Sequence, residues 1–275
     1  MDITILEEKD NKLRFILKGT SHAHANALRR TMMAEVPAMA IEDVIILENT
    51  SVLYDEVVAH RLGLIPLKTD LDAFVLPEEC DCKSELGCSK CRASFTLDAA
   101  AVDEPVMVYS SDLKPESEVV PVSLNIPIVK LGASQRLKLE VYAKLGRGLE
   151  HAKWQPTSAC AYKYLPKVAV NPENLANPDE VIRICPTHVF TQDTENKIAV
   201  RDELACTLCM DCVAKANPID SKKTPPVKVE EDDTSFVFYV ESTGAIPPRR
   251  IVDEAVKILD KKSVNITDLV KKAIE

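Results

Sequence analysis

The sequence predicts an α+β fold in which the two ends of the chain form one domain and the middle is inserted into it. Three observations support this prediction. Near the N-terminus, KLRFILK alternates apolar and polar residues with the period of a strand, and a helical pattern follows it. The C-terminal region repeats this order, since VKVEEDDTSFVFYVES precedes a long amphipathic segment. Between these ends, eight of the nine cysteines fall into two tight groups.

The N-terminal elements are predicted to be a strand and a helix. Leu13, Phe15 and Leu17 lie on one face of the strand, because side chains alternate between faces. The stretch HAHANALRRTMMAEV then carries apolar residues at helical spacing. Ser21 is a candidate N-cap for this helix, and Pro37 marks its end.

The C-terminal elements are predicted to be a hairpin and a long helix. In VKVEEDDTSFVFYVES the acidic residues would form the turn between two apolar runs. The helix over 249–273 carries an apolar stripe that must be covered. The stripe either packs on the core of its own domain or binds a partner helix, and the pattern alone leaves both open.

The middle of the chain differs from its ends. Short alternating runs such as VMVYS and RLKLEVYAKL predict an antiparallel β-rich insert. A Pro- and Asn-punctuated stretch then leads into the second cysteine group, which ends near the linker KKTPP. The predicted division is a discontinuous terminal domain of residues 1–40 plus 223–275, a β-rich insert of residues 41–165 with a cysteine loop at 80–91, and a ferredoxin-like segment of residues 166–222.

The second cysteine group predicts one iron–sulfur cluster. Cys206, Cys209 and Cys212 have ferredoxin spacing, but Ala216 stands where the fourth cysteine of the run would be. In two-cluster ferredoxins the cysteine of a C-P pair binds the other cluster, and Cys185 begins such a pair upstream. The other three positions of that upstream run are not cysteines. Four ligands for one cluster therefore remain, holding a 4Fe-4S or 3Fe-4S centre, with zinc as the alternative.

The first cysteine group predicts a structural zinc site. Cys80, Cys82, Cys88 and Cys91 are spaced C-x-C-x5-C-x2-C, and four thiolates so close in sequence suit a closed tetrahedral site. Another metal or a redox-labile pair remains open. Cys160 stands alone and is expected to be an inert, buried thiol.

Composition and motifs argue against several classes of function. The net charge of −9 disfavours direct, sequence-specific binding of nucleic acid. No signal peptide or membrane-spanning run is evident, so a cytoplasmic protein without a membrane contact is expected. No zinc-protease, phosphate-loop, serine-hydrolase or three-aspartate motif appears, and Glu42 and Asp43 fit surface positions of a strand. We therefore expect no catalytic residue and no enzyme activity of the chain itself.

Two stretches carry a family resemblance. HANALRRTMMAEVPAMAI and HRLGLIPL together resemble the alpha-type assembly subunits of DNA-directed RNA polymerase, and above all the archaeal D-type members of that family. These archaeal members are the counterparts of the bacterial alpha N-terminal domain and of the eukaryotic third-largest subunit. The resemblance extends over essentially the whole chain. A ferredoxin-like insertion before the last hairpin and helix is a mark of the D-type members in some archaea.

The resemblance implies a non-catalytic scaffold with an alpha-type dimerisation domain. Members form a heterodimer with subunit L, bind subunits N and P, and then receive the large catalytic subunits. Arg29 and Arg30 would face a large subunit, with solvated surface positions as the alternative. The residues expected at the dimer interface are Leu28, Met32, Leu259, Ile266 and Val270.

The predicted number of iron–sulfur clusters differs from that of some members of this family. Some relatives carry eight cysteines for two clusters, whereas this chain keeps ligands for one. We therefore expect the cluster to be structural or redox-sensitive. The alternative function is a ferredoxin-type redox subunit of an enzyme complex. It is disfavoured because the sequence offers neither a second redox centre nor a dinucleotide-binding fingerprint.

Overall fold

The computed structural model describes residues 1–82, 84, 87–193 and 197–274. Within these residues the chain forms twelve strands and five α-helices. The strands are β1 Asp2–Lys9, β2 Lys12–Lys18, β3 Pro37–Asn49, β4 Arg92–Ala101, β5 Val106–Tyr109, β6 Lys114–Pro115, β7 Pro127–Leu131, β8 Gln135–Arg147, β9 Thr157–Val170, β10 Phe190–Gln192, β11 Ile198–Val200 and β12 Val227–Ser242. The helices are α1 His22–Ala34, α2 Asp55–Gly63, α3 Pro178–Ile184, α4 Asp211–Lys215 and α5 Pro248–Ile274.

The first of two compact units contains most of a four-stranded sheet in the order β1-β2-β12-β9. Phe15 of β2 stacks on Phe238 of β12 with ring centroids 4.9 Å apart, and Tyr162 of β9 meets Phe236 edge-on at 5.5 Å. Such aromatic pairs add to the burial of their surface. The unit consists of Met1–Glu7, Arg14–Asn26 and Ala161–Tyr239.

The second unit is built on a sheet in the order β3-β8-β4-β6. Its antiparallel register sets Phe95 opposite Val141 and Leu97 opposite Leu139, and all four side chains are almost fully buried. This is the alternation that the sequence run RLKLEVYAKL predicts for an antiparallel strand. The unit consists of Glu8–Leu13, Ala27–Cys160 and Val240–Glu275.

Helices α1 and α5 lie where the sequence predicts helices. The Ser21 hydroxyl accepts a hydrogen bond from the backbone N–H of His24 at 3.4 Å, which confirms Ser21 as the N-cap of α1. In α5, Ile251 and Ala255 are buried whereas the C-terminal half is exposed. None of the described helices is long and apolar enough to cross a membrane.

The predicted C-terminal hairpin is wrong, because β12 runs unbroken from Val227 to Ser242. The acidic residues remain extended for two reasons. Lys167 of β9 pairs with Asp232 at 3.2 Å, and the Thr234 hydroxyl donates to the same carboxylate at 2.7 Å. These hydrogen bonds, that from Thr234 first, lower the pKa of Asp232 to about 2. The charge is therefore matched by a neighbouring strand, and no turn is needed.

Strand β9 crosses the boundary that the predicted division sets between residues 165 and 166. The sequence pattern places residues 157–165 in the β-rich insert, but they belong to β9, which lies beside β12 in the sheet of the two chain ends. Alternation of side chains identifies a strand without identifying its partner. The predicted division into residues 1–40 plus 223–275, 41–165 and 166–222 stays a prediction about the folding units.

Glu42 and Asp43 lie at an irregularity in β3. The register between β3 and β8 shifts between Ile41 and Asp43, as a β-bulge does. Asp43 pairs with Arg92 at 2.7 Å. Glu42 accepts hydrogen bonds from Lys153 and from Lys144, the latter at 3.2 Å. Both carboxylates are thus surface groups with structural ion pairs, as the sequence predicts.

We predict that Glu42→Gln lowers the free energy of unfolding at pH 7 by about 1 kcal/mol, because it leaves the poorly exposed ammonium of Lys153 without its carboxylate. Burial alone would raise the pKa of Glu42, but the hydrogen bonds from Lys153 and Lys144 outweigh it and lower the pKa below 4.5. A carboxylate whose pKa is lower in the folded than in the unfolded state stabilises the fold at pH values above its unfolded-state pKa. This stabilisation is lost as the pH falls through the folded-state pKa.

Urea denaturation from pH 7 to pH 4 measures this effect. Wild type and Glu42→Gln should differ above pH 4.5 and converge below it. Glu150→Gln is the control, since Glu150 is an exposed carboxylate of the same unit. A difference between wild type and Glu42→Gln that does not depend on pH would contradict the prediction.

Candidate metal centres and partner face

The first cysteine group includes a tight turn, in which the backbone N–H groups of Cys91 and Arg92 both donate to the Cys88 carbonyl. Cys80 and Cys91 are buried, whereas Cys82 is exposed. The backbone N–H of Cys88 donates to the Cys91 sulfur at 3.2 Å. Gly87 has a φ of +75°, in the left-handed region that favours glycine, and a Cβ there would lie 3.3 Å from the Cys91 sulfur. The glycine therefore lets the turn close against the thiols.

The four sulfurs of this group have the spacing of a tetrahedral metal site. The Cys80–Cys88 sulfur distance is 3.7 Å, and the Cys82–Cys91 and Cys88–Cys91 distances are both 3.8 Å. A zinc ion lies about 2.3 Å from each thiolate, so its tetrahedron has edges of about 3.8 Å. The predicted ligands Cys80, Cys82, Cys88 and Cys91 therefore come together, and they can hold one metal ion.

The second cysteine group lies on three local elements of the first unit. Cys185 follows α3, Cys206 follows a 3-10 turn at Glu203–Ala205, and Cys212 is in the first turn of α4. Cys209 lies between Leu208 and Met210, whose φ values are +60° and +64°. These left-handed residues curl the loop around Cys209, a strained conformation for residues other than glycine.

All four cysteines of this group line one cavity. Among the described residues, the Cys80 group is the one set of Cys, His or acidic side chains whose ligand atoms all lie within 4.8 Å, so the Cys185 group is more widely spaced. Burial first, and then the neighbouring thiols, raise the pKa of Cys212 to about 11. The cavity thus brings the four predicted thiols together, with a wider spacing than in the Cys80 group.

These cysteines are also part of the small core of their segment. Cys185, Cys206 and Cys212 are each 7% exposed and cluster with buried apolar side chains. Backbone N–H groups point at two of the sulfurs, from Val189 to Cys185 and from Leu208 to Cys206, both at 3.4 Å. N–H donors to sulfur are a usual surrounding of iron–sulfur ligands.

A lysine holds the cysteine loop from the neighbouring sheet. Lys163 of β9 donates to the carbonyl oxygens of Leu204 and Cys206, both at 2.6 Å. Partial burial lowers the pKa of Lys163 from its ordinary value. Glu203 adds a second link, since its carboxylate accepts from the backbone N–H of Val168 at 2.6 Å. The sequence does not reveal this arrangement, because a lysine in an alternating strand has the pattern of a solvated side chain.

An exposed apolar stripe lies on the C-terminal half of α5. Ile266, Leu269 and Val270 are between 51% and 66% exposed, and Leu259 is half-buried. The predicted interface residues Leu259, Ile266 and Val270 are therefore on an open helix face. Single exposed apolar residues are ordinary, but a stripe of them on one face marks an interaction surface.

Two predicted interface residues, Leu28 and Met32, are buried within the chain itself, and their place in a dimer interface stays a prediction. Met32 is completely buried and Leu28 is 8% exposed, so both pack inside this chain. Their helical spacing predicts an apolar face but cannot say whether a partner or the chain itself covers it. On the same helix, Arg29 is half-buried and Arg30 is exposed. Arg29 donates to the Met33 sulfur at 3.2 Å.

Cys160 and strand β3 complete the description of these elements. Cys160 is half-buried rather than buried, and its thiol donates to the Arg29 carbonyl. Burial raises the pKa of Cys160 to about 11, which agrees with an inert thiol. In β3, Ile45 and Leu47 are 48% and 55% exposed. They form a second open apolar surface.

Comparison with known proteins agrees with this architecture. The RNA polymerase Rpb3/Rpb11 dimerisation domain matches residues 14–263. The chain is 43% identical to DNA-directed RNA polymerase subunit Rpo3 of Archaeoglobus fulgidus and 38% identical to that of Methanosphaera stadtmanae, with 98% of each chain covered in both cases. It is 38% identical to DNA-directed RNA polymerase II subunit rpb3 of Dictyostelium discoideum, over 96% of this chain and 93% of that one. The chain therefore belongs to the family of RNA polymerase subunits that share the Rpb3/Rpb11 dimerisation domain.

Proposed function

We propose that this chain is the non-catalytic assembly subunit of an archaeal DNA-directed RNA polymerase. The observation that carries the proposal is full-length similarity to polymerase subunits named Rpo3 and rpb3, together with an open apolar face on α5. The chain forms a heterodimer with subunit L through its dimerisation domain. Subunits N and P then bind, and the platform receives the large catalytic subunits, with Arg29 and Arg30 toward a large subunit.

The exposed half of α5 supports dimerisation through this helix. The exposed apolar stripe lies on the same helix face as the buried residues of the N-terminal half. One face of α5 therefore packs inside the chain in its first half and is open to a partner in its second half. Ile266, Leu269 and Val270 together offer the partner a surface whose burial is favourable at about 25 cal/mol per Å². Subunit L supplies the matching apolar face.

We predict that Val270→Asp weakens the complex with subunit L by at least tenfold, because a carboxylate would be buried in an apolar interface. Co-expression with subunit L followed by size exclusion and titration measures the affinity. Val264→Asp is the matched control. Val264 and Val270 are both 51% exposed, but six residues separate them, which is about 120° around the helix axis. Equal loss of binding in both variants would contradict a defined face.

The loop at 80–91 is a structural zinc site in this proposal. The sulfur distances of 3.7–3.8 Å support zinc, since they match the edge of a zinc tetrahedron. All four positions of the ion are filled by cysteines, so none is left for water or substrate. The ion would fix a loop that is too short to bury a core of its own.

Cys91→Ser should reduce bound zinc from about one ion per chain to a small fraction, because three thiolates remain. Elemental analysis of protein expressed with added zinc gives the content directly. Cys160→Ser is the control, since Cys160 lies outside both groups. If Cys91→Ser keeps its zinc and Cys160→Ser does too, the loop is not the site.

The second cysteine group binds one iron–sulfur cluster in this proposal. Support comes from ferredoxin spacing, from a cavity lined by all four cysteines and from N–H donors to two of the sulfurs. Bound there, the cluster would strengthen the small core of this segment, as structural metals do elsewhere. Cys185, Cys206, Cys209 and Cys212 would hold it, and its role is structural or redox-sensitive.

We expect Cys209→Ser to abolish iron and acid-labile sulfide in anaerobically purified protein while binding of subunit L persists. Cys209 is the exposed ligand at the strained turn, so its loss opens the site. Cys185→Ser should leave a three-iron or labile cluster, because the close run retains three ligands. Iron analysis and EPR distinguish these outcomes. A stable four-iron cluster in Cys185→Ser would remove Cys185 from the ligand set.

A further inference from the structure

Two side chains connect the segment that carries Cys206 to strand β9, and Lys163 is the one that reaches Cys206 itself. The Lys163 ammonium group donates to the Leu204 and Cys206 carbonyls, which belong to the turn that leads into the loop. An ammonium has three donor positions, and two are used here. Removing this group would leave two carbonyl oxygens without a donor in a half-buried place.

The cavity beside this turn has an uncharged lining. Apart from the four cysteines, the described side chains around it are Thr187, Val189, Phe190, Thr207, Met210 and Val229. None of these carries a formal charge. A cation attached to the backbone of a ligand therefore acts on the centre across a poorly polar surrounding, where charge interactions are stronger than in water.

We propose that Lys163 is a positioning residue that fixes the Cys206 ligand and raises the reduction potential of the iron–sulfur cluster. This inference rests on the proposed cluster. When the cluster is reduced, it gains one electron from an external donor and its net charge becomes more negative by one. A nearby cation stabilises the reduced form more than the oxidised form, so the potential rises.

The geometry also gives Lys163 a mechanical role. The 3-10 turn before Cys206 is closed by Asp202, whose carboxylate accepts from the Ala205 N–H at 3.3 Å. Lys163 holds the far end of the same turn, and Glu203 connects it to the Val168 backbone. The ligand is thus fixed by groups outside the metal centre, as is usual for well-ordered metal sites.

The test uses the full chain co-expressed with subunit L and purified without oxygen. Lys163→Met should shift the reduction equilibrium toward the oxidised cluster by up to about tenfold, or 59 mV for one electron, in a mediated redox titration. Cluster absorbance should also decay at least threefold faster when a chelator is added. Lys163→Arg keeps a cation and should restore the potential to within about threefold of wild type.

Lys167→Met is the matched control. It removes a cation from the same strand, but Lys167 pairs with Asp232 rather than with the cysteine loop. An equal shift in Lys167→Met, or a Lys163→Arg variant that behaves as Lys163→Met, would overturn the proposal. So would an unchanged potential and decay rate in Lys163→Met.

The cluster proposal and the lysine proposal fail in different ways. If wild-type protein contains no iron or sulfide at Cys185, Cys206, Cys209 and Cys212, both are wrong. If wild type carries the cluster and Lys163→Met does not alter it, only the role of Lys163 is wrong. If Lys163→Met assembles no cluster, the Lys163→Arg titration decides, since a cation at this position should restore both assembly and potential.

Discussion

The pairing of β2 with β12 is the constraint on which the rest of the chain depends. Phe15 and Phe238 stack at its centre with ring centroids 4.9 Å apart, and both are almost completely buried. More than 200 residues separate them. Within the residues that the structure describes, the chain between them returns to the same sheet only at β9, and a long closed loop costs only slightly more entropy than a short one. Insertion of further segments is tolerated for this reason.

Much of the fold follows from the sequence because it depends on local patterns. Ser21 as N-cap, α5 as a long amphipathic helix and β8 as an alternating strand are all set by side chains close in sequence. The prediction of a C-terminal hairpin fails because the structure there depends on a contact that is distant in sequence. The acidic run in β12 remains extended because Lys167 pairs with Asp232 from another strand, and a distant partner leaves no trace in the local pattern.

The two cysteine groups show the same limit within the candidate sites. Both sets of candidate ligands are predicted from spacing, since metal chemistry fixes which thiolates must be neighbours. The distances between sulfurs then distinguish the two groups. They match the edges of a metal tetrahedron in the Cys80 group and are wider in the Cys185 group. Spacing could not reveal Lys163, which reaches the second group from β9, nor show that Met32 is covered by its own chain.

The distance along the chain between β2 and β12 also sets an order of events during synthesis. β2 ends at Lys18 and β12 begins at Val227. At about 5–20 residues per second, roughly 10–40 s pass between the two strands leaving the ribosome. The strands β3, β8 and β4 are complete long before then, so their sheet can form while β2 still has an unpaired edge. During this interval a newly synthesised chain therefore has an unpaired β2 edge. Chaperones can protect that edge until β12 is made.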